Sequence, residues 1–418
     1  MSQYNVGVLI QKYNNAISTA QRALIGRDEE VRMAFTALLA NENAFLIGDP
    51  GTAKSALVSN IGRTFSDQRV FTRLLGKFIL PEEVFGPLDV PKMKAGYYNR
   101  KVTGYMPAAT TAFLDEGFKA NPSLLNSLLT LLNEREFDLG EAPPGEKGGR
   151  ICTDLGSTFV ASNEIPESSD MDALWDRGMV RLWMSSLSEN DDYAQAMMDR
   201  AVEYPIRTAD RRKASSVVQM QASDLLTLDQ LDALQLAAQE LPVTAAAKRA
   251  AMAFRSGIHT AFPKLLTDRT WMRLWCLPRA VALLEGATEV RPDHLEVWVH
   301  TLWRDPSQRK GIAAEVYKHC NPVSEEVRKL VDNVREIATV TWPTDGLASD
   351  DRSVSAEAQK QAMALTEEMK SIIGRLSAVA AESPKYATDV KVATALLDSA
   401  WTTLSASVKR TLGINVAR

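Results

Sequence analysis

An apolar run, Ala44-Phe45-Leu46-Ile47, leads directly into Gly48-Asp49-Pro50-Gly51-Thr52-Ala53-Lys54-Ser55, and a helical pattern through Ala56, Leu57, Val58 and Ile61 follows. Strand, small-residue loop and helix start, in that order, constrain this chain more than any other feature, because together they build a cradle for phosphate. The small residues let successive backbone N–H groups converge on one anion, and the helix start adds the positive end of its dipole. Lys54 supplies a mobile charge and the Ser55 hydroxyl is placed to reach Mg²⁺. The implied ligand is a nucleoside triphosphate. Ala53 stands where the general pattern has glycine, so the loop needs support from elsewhere in the chain.

That support comes from two further strand ends. Thr111-Ala112-Phe113-Leu114 reads as a buried strand ending in Asp115-Glu116, and Ser157-Thr158-Phe159-Val160-Ala161-Ser162 ends in Asn163. Taken singly, an acidic pair after a strand is a solvated turn, and an asparagine there is a turn or helix cap. Beside a phosphate loop the same groups acquire separate tasks. Asp115 would hold the water shell of Mg²⁺, Glu116 would orient and polarise the attacking water, and Asn163 would bridge that water and the terminal phosphate. Strands ending in Lys/Ser, Asp/Glu and Asn form one edge of a parallel sheet, where open α/β folds bind ligands.

These residues and their spacing resemble an AAA+ ATPase of the MoxR family, and within it a RavA-like branch. The resemblance runs through Phe78-Ile79-Leu80-Pro81-Glu82-Glu83-Val84-Phe85-Gly86-Pro87-Leu88, Thr103-Gly104-Tyr105-Met106-Pro107, the stretch from Leu124 to Phe137 and Ala161-Ser162-Asn163-Glu164-Ile165-Pro166. It continues through Ala173-Leu174-Trp175-Asp176-Arg177 and Val180-Arg181-Leu182-Trp183, and covers residues 1 to about 305. The family often carries alanine where Ala53 sits. The resemblance implies ATP as ligand in the loop from Gly48 to Ser55, with Gly26 of Ile25-Gly26-Arg27 near the adenine base. By the same resemblance Lys54 and Ser55 contact phosphate and Mg²⁺, Asp115 meets the metal through water, Glu116 is the base and Asn163 the first sensor. Arg177 matches the family's arginine finger, which acts on a neighbour's terminal phosphate as a fork-shaped cation. Pairing with Asp176 or a helix cap is the bland alternative, and Arg181, four residues on, competes for the role. Arg269 sits where the lid carries a second sensor. The implied assembly is a ring, a hexamer, that couples ATP hydrolysis to remodelling of a protein client. Its implied partner is a protein with a von Willebrand factor type A domain.

Composition agrees with an energy-using machine and excludes several other classes. With 418 residues, 45% hydrophobic, the chain can bury a large core and form more than one domain. Its 48 basic and 52 acidic residues leave a net charge of −4, which argues against a strongly cationic nucleic-acid surface. Cys152, Cys276 and Cys320 are an odd number at irregular spacing and read as reduced thiols, and four scattered histidines make no metal-ligand pattern. The N-terminus lacks a basic start before a long apolar core, and no apolar run approaches a membrane span; the expectation is a soluble, cytoplasmic protein.

The fold class expected is α/β: residues 1–190 form a P-loop parallel-sheet domain with an N-terminal helix and inserted β-hairpins, 191–305 an α-helical lid, and 306–418 a C-terminal helical extension. One hairpin is expected around Lys94-Ala95-Gly96-Tyr97 and another with its tip in Gly140 to Gly149. Tyr97 and Tyr98 either grip a polypeptide or pack on their own hairpin. The basic run Arg207 to Lys213 reads as a solvated linker, with nucleic-acid contact the minority reading. The lid's tryptophan-rich face, with Trp271 and Trp275, reads as core. In the extension an apolar stripe from Val327 to Ile337 precedes a break at Trp342 to Arg352. Helices over 356–381 and 388–412, separated by Ser383-Pro384, then suggest an antiparallel hairpin serving a partner, assembly, or a brace. Two other functions stay open on sequence: a nucleic-acid-acting motor that uses the two hairpins, and a nucleotide-gated assembly module in which hydrolysis is a timer.

Overall fold

A computed structural model of the chain describes residues 4–165, 172–187, 191–203, 220–339, 352–382, 390–391 and 393–402. The strands are β1 (Asn43–Gly48), β2 (Val70–Leu74), β3 (Thr111–Asp115), β4 (Glu136–Asp138), β5 (Arg150–Cys152), β6 (Ser157–Ser162) and β7 (Gly178–Met184). Five of them form one sheet in the order β2-β3-β6-β1-β7, and every neighbouring pair is parallel. Parallel strands are joined by crossovers that cover both faces, so the central strands read as continuous apolar runs. All six residues of β1 and of β6 are buried, whereas edge strand β2 leaves Val70 and Leu74 exposed. Burial of each large β1 side chain, such as Phe45 or Ile47, contributes about 1.5–3 kcal/mol.

Around the sheet lie α1 (Val6–Ala23), α2 (Asp28–Leu39), α3 (Lys54–Gly62) and α4 (Pro122–Glu134). Helix α1 starts where Asn5 accepts from the Val8 N–H, and Tyr13 on its buried face donates to the Phe35 carbonyl of α2 at 2.7 Å. The lid region is helical as expected, with α5 (Leu228–Glu240), α6 (Ala245–Ala261), α7 (Asp268–Arg273) and α8 (Cys276–Leu284). It docks on α1 and α2: Asn14 donates to the Leu284 carbonyl, Gln235 to the Leu38 carbonyl, and Arg32 pairs with Glu285 at 3.1 Å. Trp298, fully buried, meets half-buried Trp271 and Trp275 at ring distances of 6.0 and 5.5 Å, so the lid's tryptophans pack on one another.

The two inserted segments differ from each other. Strands β4 and β5 pair antiparallel, Phe137 opposite Ile151, with the Gly140 to Gly149 stretch at the tip as expected. The hairpin expected around residues 94–97 is absent. A short helix, Val90–Lys94, fills that tip, and one antiparallel bridge, Leu88 with Arg100, closes it. Asp89 caps this helix, and Pro91, which has no N–H for a ladder, suits its first turn. The two segments brace each other. Phe85 stacks on Phe137, Lys92 pairs with Glu146 at 2.8 Å, and the Arg100 N–H donates to the Leu139 carbonyl. Gly140 permits this approach, since a Cβ there would lie 2.0 Å from the Tyr98 carbonyl oxygen.

By contacts the chain divides into two compact units, 1–316 and 317–418. In the second, α9 (Pro322–Thr339), α10 (Arg352–Glu382) and helical residues 393–402 share one apolar cluster, including Leu330, Val334, Met369, Leu376 and Leu397. Three helical segments thus pack where a two-helix hairpin was expected, because the stripe on α9 joins the other two. The break expected at Trp342 to Arg352, apart from Arg352 itself, lies outside the described residues, as do Ser383-Pro384 and Arg207 to Lys213. No helix among the described residues is long and apolar enough to cross a membrane.

Candidate active site

Sheet order decides which side chains meet. Because β6 lies between β1 and β3, the residue after β6 falls between whatever follows β1 and whatever follows β3. Asn163 accordingly joins the other two. Lys54 Nζ donates to Asn163 Oδ1 at 2.7 Å, and Asn163 Nδ2 donates to Glu116 Oε1 at 3.0 Å. Lys54 is 7% exposed and also donates to the carbonyls of Gly48 and Asp49 at 2.7 and 2.8 Å. Burial lowers its pKa, an effect opposed by Asp115, Glu116 and Asp49. Asp115 turns Oδ1 back to the Glu116 N–H at 3.0 Å. Glu116 has φ +52 and ψ +39, a left-handed conformation costly for a side chain with a Cβ and tolerated at sites where geometry matters more than stability.

The loop itself is built for backbone approach. Gly51 has φ +79 with open space at its missing Cβ, and Thr52 folds its hydroxyl onto the Asp49 carbonyl at 2.8 Å. Ala53 has φ +70 and ψ +22, which explains why the general pattern has glycine there. A cavity of about 370 Å³ is lined by Pro50 to Ala56 with Asp115, Glu116 and Asn163. Exposed Ser55 in the first turn of α3 and the Asp115 carboxylate facing the same space are the oxygen donors a hard cation takes, so the residues present fit Mg²⁺. A second cavity, about 350 Å³, shares Pro50 to Ala53 and adds Ala23, Leu24, Ile25, Arg27, Leu187 and Met197. Its apolar walls next to a phosphate loop suit a planar base. Gly26, expected there, has φ +65 and lies between two lining residues, Ile25 and Arg27.

The predicted arginines are elsewhere. Arg177 immediately precedes β7, and Asn43, at the start of β1, is in register with Gly178. Arg177 therefore sits at the opposite edge of the sheet from the loop after β1, a strand length of roughly 20 Å away. Arg269 lies at that same edge: exposed, it reaches Asn133 at 3.5 Å, while Arg273 of its helix pairs with Glu42, the residue before β1. Burial lowers the pKa of Arg177, and the charges of Arg269 and Arg273 lower it further. Its Nε is buried with no hydrogen-bond partner among the described residues. Asp176, its sequence neighbour, pairs with Arg304 at 3.0 Å. Arg181 is a different kind of residue: 4% exposed, it donates to the carbonyls of Gly178, Leu302, Trp303 and Trp175 and lies over the Trp175 ring at 5.2 Å. Burial pushes its pKa down to about 9. Those four carbonyls occupy Arg181 and remove it as a rival for the finger role.

Sequence reasoning missed Lys119. Its ammonium is 3.1 Å from Glu116 Oε2 and 3.7 Å from Glu164 Oε1. The only signal was a lysine three residues after an acid, a common surface pattern. Glu285, Asp293 and His294 also converge, but the His294 Nδ1 accepts the Arg291 N–H at 2.9 Å. A neutral ring then carries its proton on Nε2, toward Glu285 at 3.4 Å, and offers the cluster no lone pair for a metal.

Comparison with known proteins bears on much of the first unit. Residues 11–230 match the family described as the MoxR domain in the MoxR-vWA-beta-propeller ternary systems. Two uncharacterized proteins of Methanocaldococcus jannaschii are each 28% identical to the chain, over 318 and 312 residues; both alignments cover 74% of this chain, and 76% and 75% of those proteins. The chaperone ClpB of Dichelobacter nodosus is 35% identical over 182 residues, 41% of this chain and 20% of ClpB. The crystal structure of a candidate ATPase from Cytophaga hutchinsonii superimposes with a TM-score of 0.57 at 12% identity, covering 75% of this chain and 96% of that one, which is a likeness of fold.

Proposed function

Since this chain belongs to the MoxR family of AAA+ ATPases, we propose that it hydrolyses ATP at the seams of a ring built from its own copies, and uses the cycle to remodel a protein client. One observation carries this reading: the phosphate loop and Arg177 occupy opposite edges of one sheet. An arginine a strand length from its own loop serves a triphosphate only in another copy. In that arrangement the Gly48 to Ser55 backbone and Lys54 hold the phosphates, and the neighbouring cavity takes the base. Glu116 orients water toward the terminal phosphate, Asn163 fixes both, and the neighbour's Arg177 stabilises the charge that develops on transfer. Arg269, on the same edge as Arg177, contributes to the same neighbouring site. Mg²⁺, held by Ser55 and through water by Asp115, would neutralise charge on the phosphate oxygens.

The two braced insertions are the moving parts in this proposal. Because Phe85, Phe137, Lys92 and Glu146 tie them together, tilting of the sheet domain moves both as one lever. Tyr98, 65% exposed, and Phe78, 94% exposed, offer apolar contact to a polypeptide, whereas Tyr97 is half-buried. The family's description couples its MoxR domain to vWA and β-propeller proteins, which supports a von Willebrand factor type A partner for this chain; a cytoplasmic location is part of the same proposal. The RavA-like affinity rests on the motif runs from Phe78 to Trp183 taken together, and the helical unit 317–418 is read as a partner or assembly segment.

The test is ATP turnover as a function of protein concentration, measured beside the assembly state by light scattering. Specific activity is expected to rise with concentration as copies associate, and Glu116→Gln is expected to associate with ATP while turning it over at least about 100-fold more slowly. Full turnover by a strictly monomeric protein would refute the proposal.

A further inference from the structure

The ammonium of Lys54 has three N–H donors, and all three are in use, on the Gly48 and Asp49 carbonyls and on Asn163 Oδ1. A phosphate oxygen that binds Lys54 must take one of them. The Asn163 contact is the one that leads outward, because the same amide group donates to Glu116 Oε1. Beyond Glu116 the chain of contacts reaches Lys119, which lies between two carboxylates: Glu116 Oε2 at 3.1 Å and Glu164 Oε1 at 3.7 Å. Glu164 directly follows Asn163, and its backbone is pinned, with Ser162 Oγ accepting its N–H at 3.1 Å and donating to its carbonyl at 2.8 Å. The second acceptor therefore stays within reach of Lys119 when the Asn163 side chain turns.

Resting on the reading of Glu116 as the group that orients water, we propose that Lys119 is a two-position gate: paired with Glu116 it withholds that carboxylate, and passing to Glu164 it releases it. Lys119 is a positioning residue here, since it touches no reacting atom. Solvent makes the exchange easy. The Lys119 side chain is 41% exposed, Glu116 20% and Glu164 71%, so neither pairing is deeply desolvated; the shorter Glu116 pair is the stronger, and the margin between two such exposed pairs is small. A gate driven by the rearrangement of one hydrogen bond requires such near-balance, because a ligand shifts an equilibrium only by its differential contacts. The interaction with Glu116 also raises the Lys119 pKa, which keeps the ammonium charged in the pairing seen.

The experiment is steady-state ATP turnover by the full chain carrying Lys119→Met, Lys119→Arg, Glu164→Gln, and the double change Lys119→Met with Glu164→Gln. Removing the gate is expected to raise kcat by up to roughly fivefold with KM little moved, while arginine keeps the wild-type rate. Glu164→Gln is expected to lower kcat by a similar factor, because Lys119 then has only Glu116. In the double variant the Glu164 change is expected to have no effect, since it acts through Lys119 alone. A fall in kcat in Lys119→Met overturns the gate, and so does a Glu164→Gln effect that survives in the Lys119→Met background. Should Lys119→Met fail to fold by circular dichroism, Glu164→Gln alone still decides, with an unchanged kcat counting against the gate. Glu116→Gln separates the two levels: wild-type turnover there removes the underlying reading, whereas an inactive Glu116→Gln beside an unresponsive Lys119 and Glu164 removes only the gate.

Discussion

The two edges of the central sheet handle charge in opposite ways. At the loop edge the charged groups pair with one another: Lys54 with two carbonyls and Asn163, Asn163 with Glu116, Glu116 with Lys119. At the other edge Arg177 is pressed by Arg269 and Arg273, and its buried Nε has no hydrogen-bond partner among the described residues. Leaving a guanidinium donor desolvated costs free energy, as it also does at Arg73, Arg135 and Arg279, and for Arg177 the proposed neighbouring copy supplies the missing acceptor. In the proposed ring the first edge is the receptor for a triphosphate and the second the donor to a neighbouring copy's anion.

Arg177 and Arg181 show the same contrast within four residues. Arg181 is enclosed by four carbonyls and a tryptophan face, so its fork is spent on holding the Trp175 and Trp303 region together. Arg177→Ala is therefore expected to cut ATP turnover by about 10³-fold or more while leaving nucleotide affinity and the unfolding midpoint near wild type. A loss of nucleotide binding in that variant would break the separation between the edges. Lys54→Ala, at the receptor edge, is expected to weaken nucleotide binding about 100-fold or more, as read by calorimetry or a fluorescent nucleotide. Arg181→Ala belongs to neither edge: about 3–5 kcal/mol of stability is expected to go, because buried carbonyls lose their donor and a cavity opens. Chemical denaturation measures it, and a wild-type midpoint would show that Arg181 is not the interior strut described. The smallest effect is expected from Ala53→Gly, a gain of about 0.5–1 kcal/mol from relieving the left-handed alanine. An unchanged or lowered midpoint would mean the loop bears no strain.

Much of the loop edge was legible in the sequence because it is local. A phosphate loop needs small residues and a lysine at fixed spacing, and the pairs Asp115-Glu116 and Ser162-Asn163 each directly follow an apolar run. Parallel order then follows from alternation of strands and helices. What stayed hidden depended on long-range packing. Arg269 reads as a lid residue, but which edge it faces is set by α5 and α8 docking on α1 and α2. Lys119 carries no signal beyond its charge, since its importance comes from Glu164 arriving beside it from another strand end. The hairpin expected near Lys94 failed on Pro91, whose ring favours a helical first turn over a ladder. The apolar stripe on α9 and the two helices after it were all visible, while the joining of all three in one cluster was not.

The most direct measurement mixes two inactive proteins, Arg177→Ala and Lys54→Ala, in equal amounts and follows ATP turnover. If loop and arginine belong to different copies, seams joining an intact loop to an intact arginine form at random, and roughly a quarter of wild-type activity returns. Activity that stays at the level of the separate variants, under conditions where the two demonstrably co-assemble, would contradict the shared site.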